Sequence, residues 1–93
     1  VSAQGTATVD FGATPAEEAT VSIATSGLLS TSEIEAWFQQ GDTTADNGAD
    51  EHDQAAALCR LAAAYVSGTQ FDVKAMPLAM TGIGTFKFHW AWV

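Results

Sequence analysis

Four aromatic residues at every second position, Phe86, Phe88, Trp90 and Trp92, constrain this chain more than any other feature. Thr85, Lys87, His89 and Ala91 stand between them, which is the alternation of a half-buried β-strand. Such a strand sets all four rings on one face. An aromatic side chain removes about 150–250 Å² from water, so a chain of 93 residues must devote a large share of its core to this face. The apolar end at Trp92-Val93 fits a strand paired inside a sheet better than a frayed tail.

The rest of the composition sets limits. The length suits one domain, 1–93, near the lower end of what folds unaided. Hydrophobic residues make up 47% and charged residues 15%, enough apolar material for a packed core and too little charge for a disordered chain. Lys74, Lys87 and Arg60 face eleven Asp and Glu, for a formal net charge of −8. Phosphate backbones and anionic lipid surfaces are repelled by that sign, so neither nucleic acid nor membrane is an expected partner. Cys59 stands alone and cannot close an intrachain disulfide; it is expected in the core. Val1-Ser2-Ala3-Gln4-Gly5 has neither the basic start nor the apolar stretch of a signal peptide, so cytoplasmic synthesis and folding are expected.

Further strands are legible upstream. Ala7, Val9 and Phe11 alternate with Thr6, Thr8 and Asp10 until Gly12 to Pro15 break the pattern. Val21 and Ile23 alternate with Thr20 and Ser22 after Glu17-Glu18, up to Ser26-Gly27. From Ser32 to Gln39, Ile34, Ala36 and Phe38 share one face and Glu33, Glu35, Trp37 and Gln39 the other, although this stretch would also tolerate a helix. An outward Trp37 is either covered by a loop of its own chain or an anchor for a partner, Trp being enriched at interface hot spots. Phe71, Val73 and Ala75 alternate with Asp72, Lys74 and Met76, between the Ser67-Gly68-Thr69 turn and Pro77. Leu78 to Gly82 then connects to the aromatic strand. Short strands separated by turn signals predict a mainly β chain, a small antiparallel β-sandwich or barrel of jelly-roll-like form.

Two segments resist this reading. Gly41 to Asp53, GDTTADNGADEHD, offers Asp42, Asp46, Asp50, Glu51 and Asp53 as hard oxygen donors and His52 as a nitrogen donor. Its spacing is not that of a calcium loop, and neither histidine has the partners of a zinc site, so a solvated loop without metal is expected. Gln54 to Val66 carries six alanines with Leu58, Leu61 and Tyr65 at helical spacing, and Asp50, Glu51 and Asp53 would suit a helix N-terminus. Sheet edges need partners, which argues for a strand in its second half. One short helix within 53–64 fits both demands.

Three stretches together carry a resemblance: Ala45-Asp46-Asn47-Gly48-Ala49-Asp50-Glu51-His52, then Val66-Ser67-Gly68-Thr69-Gln70-Phe71, then Gly84-Thr85-Phe86-Lys87-Phe88-His89-Trp90-Ala91-Trp92. They resemble small structural proteins of tailed bacteriophages and prophages, which read T-A-D-H/N-x-A-D-E-H, V-x-G-T-G-F and G-x-(F/W)-x-(V/F)-x-W-x-W near the end. The alanine runs at 55–57 and 62–64, and Gln70 in place of a second glycine, depart from that pattern. The resemblance implies a virion protein on the outer surface of a particle, assembled in the bacterial host cytoplasm. A capsid decoration or cement protein, or a fibre-head subunit, would work as a homo-oligomer such as a trimer, against partners such as the major capsid protein. It needs no cofactor. Trp37, the arm residues Val1, Ser2 and Ala3, and the loop residues Asp42, Asp46, Asp50 and His52 are the expected contacts.

An alternative is a receptor- or glycan-binding module of a tail or head fibre, with Trp37 stacked on a sugar ring beside Asp42, Asp46 and Asn47. An enzyme is not expected. Glu33 with Glu35, or Asp50 with His52, can be written as acid–base pairs, but carboxylates at i and i+2 of a strand form a solvated face. No Gly-x-Ser-x-Gly elbow or Gly-rich phosphate loop is present. Gly82-Ile83-Gly84 reads as a turn or bulge. His89, opposite the aromatic face near Lys87, reads as a surface or interface residue.

Overall fold

The aromatic alternation forms the central strand of one sheet, and its pairing dictates where the rest of the chain goes. The computed structural model describes residues 2–78 and 82–93, so the Val1 contact expected from the sequence lies outside the described residues. The elements in order are β1 (Ala3–Asp10), β2 (Ala19–Ala24), β3 (Ile34–Trp37), α1 (Ala49–Leu58), β4 (Cys59–Ser67), β5 (Gln70–Pro77) and β6 (Thr85–Trp92). They make two three-stranded antiparallel sheets, β1-β6-β3 and β2-β5-β4. This is the expected small β-sandwich with one short helix.

The topology is that of one long hairpin rolled up. Residues 3–24 form most of its first arm, and 70–78 with 82–92 most of its second. β1 pairs with β6 from Ala3↔Trp92 to Asp10↔Thr85, and β2 pairs with β5 from Ala19↔Ala75 to Ala24↔Gln70. Between these ladders the arms stay joined, since Phe11 N donates to Gly84 O at 2.9 Å and Ala16 and Gly82 exchange both backbone bonds. β3 and β4 meet across one border of the sandwich and β1 and β2 across the other. The result is a six-stranded roll, two strands short of the eight in a full jelly roll.

The core lies between the sheets. Val9, Phe86, Phe88, Trp90 and Trp92 face Ile23, Phe71, Val73 and Ala75. Phe71 meets Trp90 edge-on, with centroids 5.3 Å apart at 71°, a geometry that the ring quadrupoles favour. Trp92 Nε1 donates to Thr25 Oγ1 at 2.9 Å, so its burial leaves no donor unpaired. Gly5 sits opposite Trp90 because a Cβ there would lie 2.7 Å from the ring.

Several boundaries differ from the sequence reading. The N-terminal strand starts at Ala3, not Thr6, because Ala3 and Gly5 continue the inward set of Ala7 and Val9 against Trp92 and Trp90. The stretch from Ala3 to Gly5 is therefore part of the sheet and not a free arm. β3 keeps the predicted alternation, with Trp37 outward, but is only four residues long. The helix runs from Ala49 to Leu58, beginning ahead of the expected 53–64 window. Asp50 and Glu51 occupy its first turn, where carboxylates suit the helix dipole, and His52 and Ala55 are its buried residues. It stops at Leu58 because Cys59 to Ser67 pairs with β5, which overrides the helix preference of the second alanine run. Cys59 itself is half-buried against the core rather than within it.

Replacing a buried tryptophan by alanine removes the ring and leaves a cavity. Trp90→Ala and Trp92→Ala should each lower unfolding free energy by about 3–5 kcal/mol, and the double variant should lack a cooperative transition in urea.

Candidate functional site

β3 ends at Trp37, opposite His89, while β6 runs on towards Thr85. Over that remaining length the β3-side edge of β6 has no strand beside it, and the acidic loop takes the vacant place with side chains. Asp46 Oδ2 accepts from Thr85 N at 3.0 Å and from Thr85 Oγ1 at 2.8 Å. Thr44 Oγ1 donates to Thr85 O at 2.7 Å, and Asn47 Nδ2 donates to Thr85 O at 2.8 Å and to Ile83 O at 3.0 Å. His52 Nε2 accepts from Lys87 N at 2.9 Å. Gly84, at φ +74°, turns the chain into β6, and a Cβ there would lie 2.7 Å from that of Asp46.

The loop's own bonds hold these groups in register. Asn47 N donates to Thr44 Oγ1 at 3.1 Å, and Gly41 N donates to Asp53 Oδ1 at 2.9 Å. His52 is fully buried and tilted against Phe86, with centroids 5.1 Å apart. Because its Nε2 accepts from Lys87, the imidazole is neutral and its proton sits on Nδ1, which donates to Gly48 O at 3.0 Å. The expectation of a solvated loop is thus corrected: Asp42, Thr44, Asp46, Asn47, His52 and Asp53 all make defined bonds. Among the described residues no group of three or more His, Cys, Asp or Glu is placed to hold a metal ion.

The same strands build an open outer face. His89 Nε2–H donates to Asp42 Oδ2 at 2.7 Å, an ion pair when the ring is protonated. The Trp37 indole lies nearly parallel to the His89 ring, with centroids 6.0 Å apart and planes 17° apart, yet 41% of Trp37 stays exposed. The register puts Thr6, His89 and Trp37 in one row across the sheet and Gln4, Ala91 and Glu35 in the next. Gln4, Gly5, Thr6, Trp37, His89 and Trp90 line a shallow depression of about 290 Å³.

The expected contact residues therefore separate. Trp37 and Asp42 come together around His89. Asp46 and His52 are bonded to the β6 backbone, and Asp50 is exposed in the first turn of α1. Ser2 and Ala3 lie at the other end of the sheet, beside Trp92 and Val93. Sequence reasoning read Thr6 as an outward strand residue without naming it a contact, and left Gln4 ahead of a strand whose start it placed too late. No protein family, curated protein or solved structure matches the chain. No helix among the described residues is long and apolar enough to cross a membrane.

His52→Ala removes a buried ring and orphans the Lys87 amide, at a cost of about 3 kcal/mol; the Lys87 amide should lose hydrogen-exchange protection before the β1–β6 amides do. Protection unchanged at Lys87 would refute the bond from Lys87 N to His52 Nε2. Cys59 gives a separate check. Burial pushes its thiol up to about 11 from 9.0, opposed by the Met76 backbone N–H. A raised value means stability complete below the unfolded value and lost as pH rises towards the folded one, so this residue destabilises the fold between about 9 and 11. Alkylation by iodoacetamide at pH 8 should be about 100-fold slower than in denaturant, following the thiolate fraction.

Proposed function

We propose that this chain is a structural subunit of a bacteriophage virion, a capsid decoration or cement protein or a fibre-head subunit, acting through oligomeric protein contacts. The observation that carries this reading is an apolar end to the sandwich. Tyr65, Val66 and Leu29 are 42%, 48% and 64% exposed. They gather where β4 turns into β5, because Leu28 N donates to Gly68 O at 3.2 Å and brings its neighbour Leu29 to that turn. The register shift between Tyr65 and Ser67 leaves Val66 out of the ladder. Tyr65 opposes Phe71 on the inward face, yet it stays exposed.

Two further features support a binding role over catalysis. Asp42, Asp46, His52 and His89 are engaged in holding that loop to β6. A net charge of −8 suits the outside of a particle rather than contact with packaged nucleic acid. A small domain gains stability by burying such an apolar end against copies of itself, and closed symmetry is the usual arrangement.

Light scattering tests the proposal directly. The purified chain should have the mass of an oligomer such as a trimer and bind stoichiometrically to capsid shells that lack it. Leu29→Asp and Val66→Asp should each reduce it to the mass of one chain and weaken shell binding at least about 10-fold. A wild-type chain that is monomeric and indifferent to shells would overturn the reading.

A further inference from the structure

The two outer faces of the sandwich treat their polar side chains differently. On the β2-β5-β4 face most of the central groups answer one another, although Thr20 and Arg60 do not: Ser22 Oγ donates to Asp72 Oδ1 at 2.8 Å, Gln70 Nε2 donates to the same oxygen at 3.3 Å, and Lys74 pairs with Glu18 at 3.5 Å. On the β1-β6-β3 face the side chains of Gln4, Thr6, Thr8, Glu35 and Lys87 make no hydrogen bond or ion pair among the described residues, although Trp37 stands open beside them. We infer that this face, centred on the depression between Gln4, Thr6 and Trp37, is a binding site for a neutral saccharide.

Three properties select that ligand. An exposed indole offers a flat apolar surface to the C–H face of a pyranose ring, and its plane is preset by the His89 ring and the Asp42 bond behind it. Beside it stand an amide that both donates and accepts, hydroxyls that do the same, a carboxylate and an ammonium group. This is the mixture that a ring of hydroxyls needs, and the lack of internal partners leaves each of them free to bind. Ala91, in the row of Gln4 and Glu35, keeps the centre of the face low, and Gly5 opens β1 so that Trp90 forms part of the depression wall. Anionic glycans are disfavoured by the net charge of −8.

The site differs from the one expected from sequence. Asp46 and Asn47 are committed to the β6 backbone and Asp42 to His89, so none of them serves as the acceptor beside Trp37. Saccharide binding does not depend on the virion reading, since all its residues come from one chain and none of them is Leu29, Tyr65 or Val66.

The test titrates the full chain with short neutral gluco-, galacto- and manno-oligosaccharides, with a sulfated oligosaccharide for comparison, following the Trp37 indole N–H by NMR. At least one neutral series should give a saturable shift with a dissociation constant on the order of 1 mM, the range that ordinary ligand efficiency allows a single sugar ring. Trp37→Ala should abolish the response, Trp37→Phe should retain part of it, and Gln4→Ala and Thr6→Val should each weaken it about 3–10-fold. Leu29→Asp should bind as wild type, which separates this site from the assembly contact. No saturable shift with any neutral series up to about 50 mM, or binding that survives Trp37→Ala, overturns the inference. Loss of oligomer or shell binding on Trp37→Ala without any saccharide response would reassign the face to a protein partner.

Discussion

Strand β6 lies between neighbours of unequal length. β1 matches it along all eight residues, whereas β3 reaches only from Trp92 to His89. Polar backbone groups on the β3 side of Thr85 and Lys87 would be left without partners beside a core of Phe86 and Phe88, at about 1–3 kcal/mol each. The rest of the structure depends on how that gap is filled. Thr44, Asp46, Asn47 and His52 fill it, and among the described residues no buried side-chain polar atom lacks a partner.

Filling the gap with side chains instead of a longer β3 has consequences for the surface. Gly41, at φ +89°, turns the chain after Phe38, and the loop meets the edge of β6 at Asp46 before α1 begins. Asp42 meets His89 on the way and fixes the ring against which Trp37 lies. A longer β3 would have placed further side chains on this face past Trp37. The short one leaves the indole at the margin of a polar field with no strand covering it. His52 anchors the start of the helix to β6 from below, so one residue couples the loop, α1 and the core ring of Phe86.

The strands were legible because burial on one face of a sheet writes itself as alternation. The inward sets Val9 and Phe11, Ile34, Ala36 and Phe38, Phe71, Val73 and Ala75, and Phe86 to Trp92 all lie where their period of two puts them. Trp37 could be placed outward by the same rule. Ala3 and Gly5 were illegible as core-facing positions, since small residues carry little hydrophobic signal and Gly5 is small only to admit the Trp90 ring. The acidic loop misled for a different reason. Asp, Asn, Thr and His have the same composition whether they face water or replace a strand, and only the register of β6 shows which backbone groups await them. In the 54–66 stretch, pairing with β5 decided against local helix preference from Cys59 onward.

The two candidate surfaces have different physical origins, which is why one chain can carry both. Leu29, Tyr65 and Val66 leave apolar area exposed at the end of the sandwich where β4 turns into β5. The face around Trp37 stays open because the loop that follows β3 bonds to the edge of β6 and meets the outer face through Asp42 at His89. The unpaired stretch of β6 lies beyond Trp37, whereas Tyr65 and Val66 lie at the end of β4 away from Cys59 and Leu61, which adjoin Ala36 to Phe38. In the proposed assembly, a weak site repeated on several copies would bind far more tightly than on any one of them.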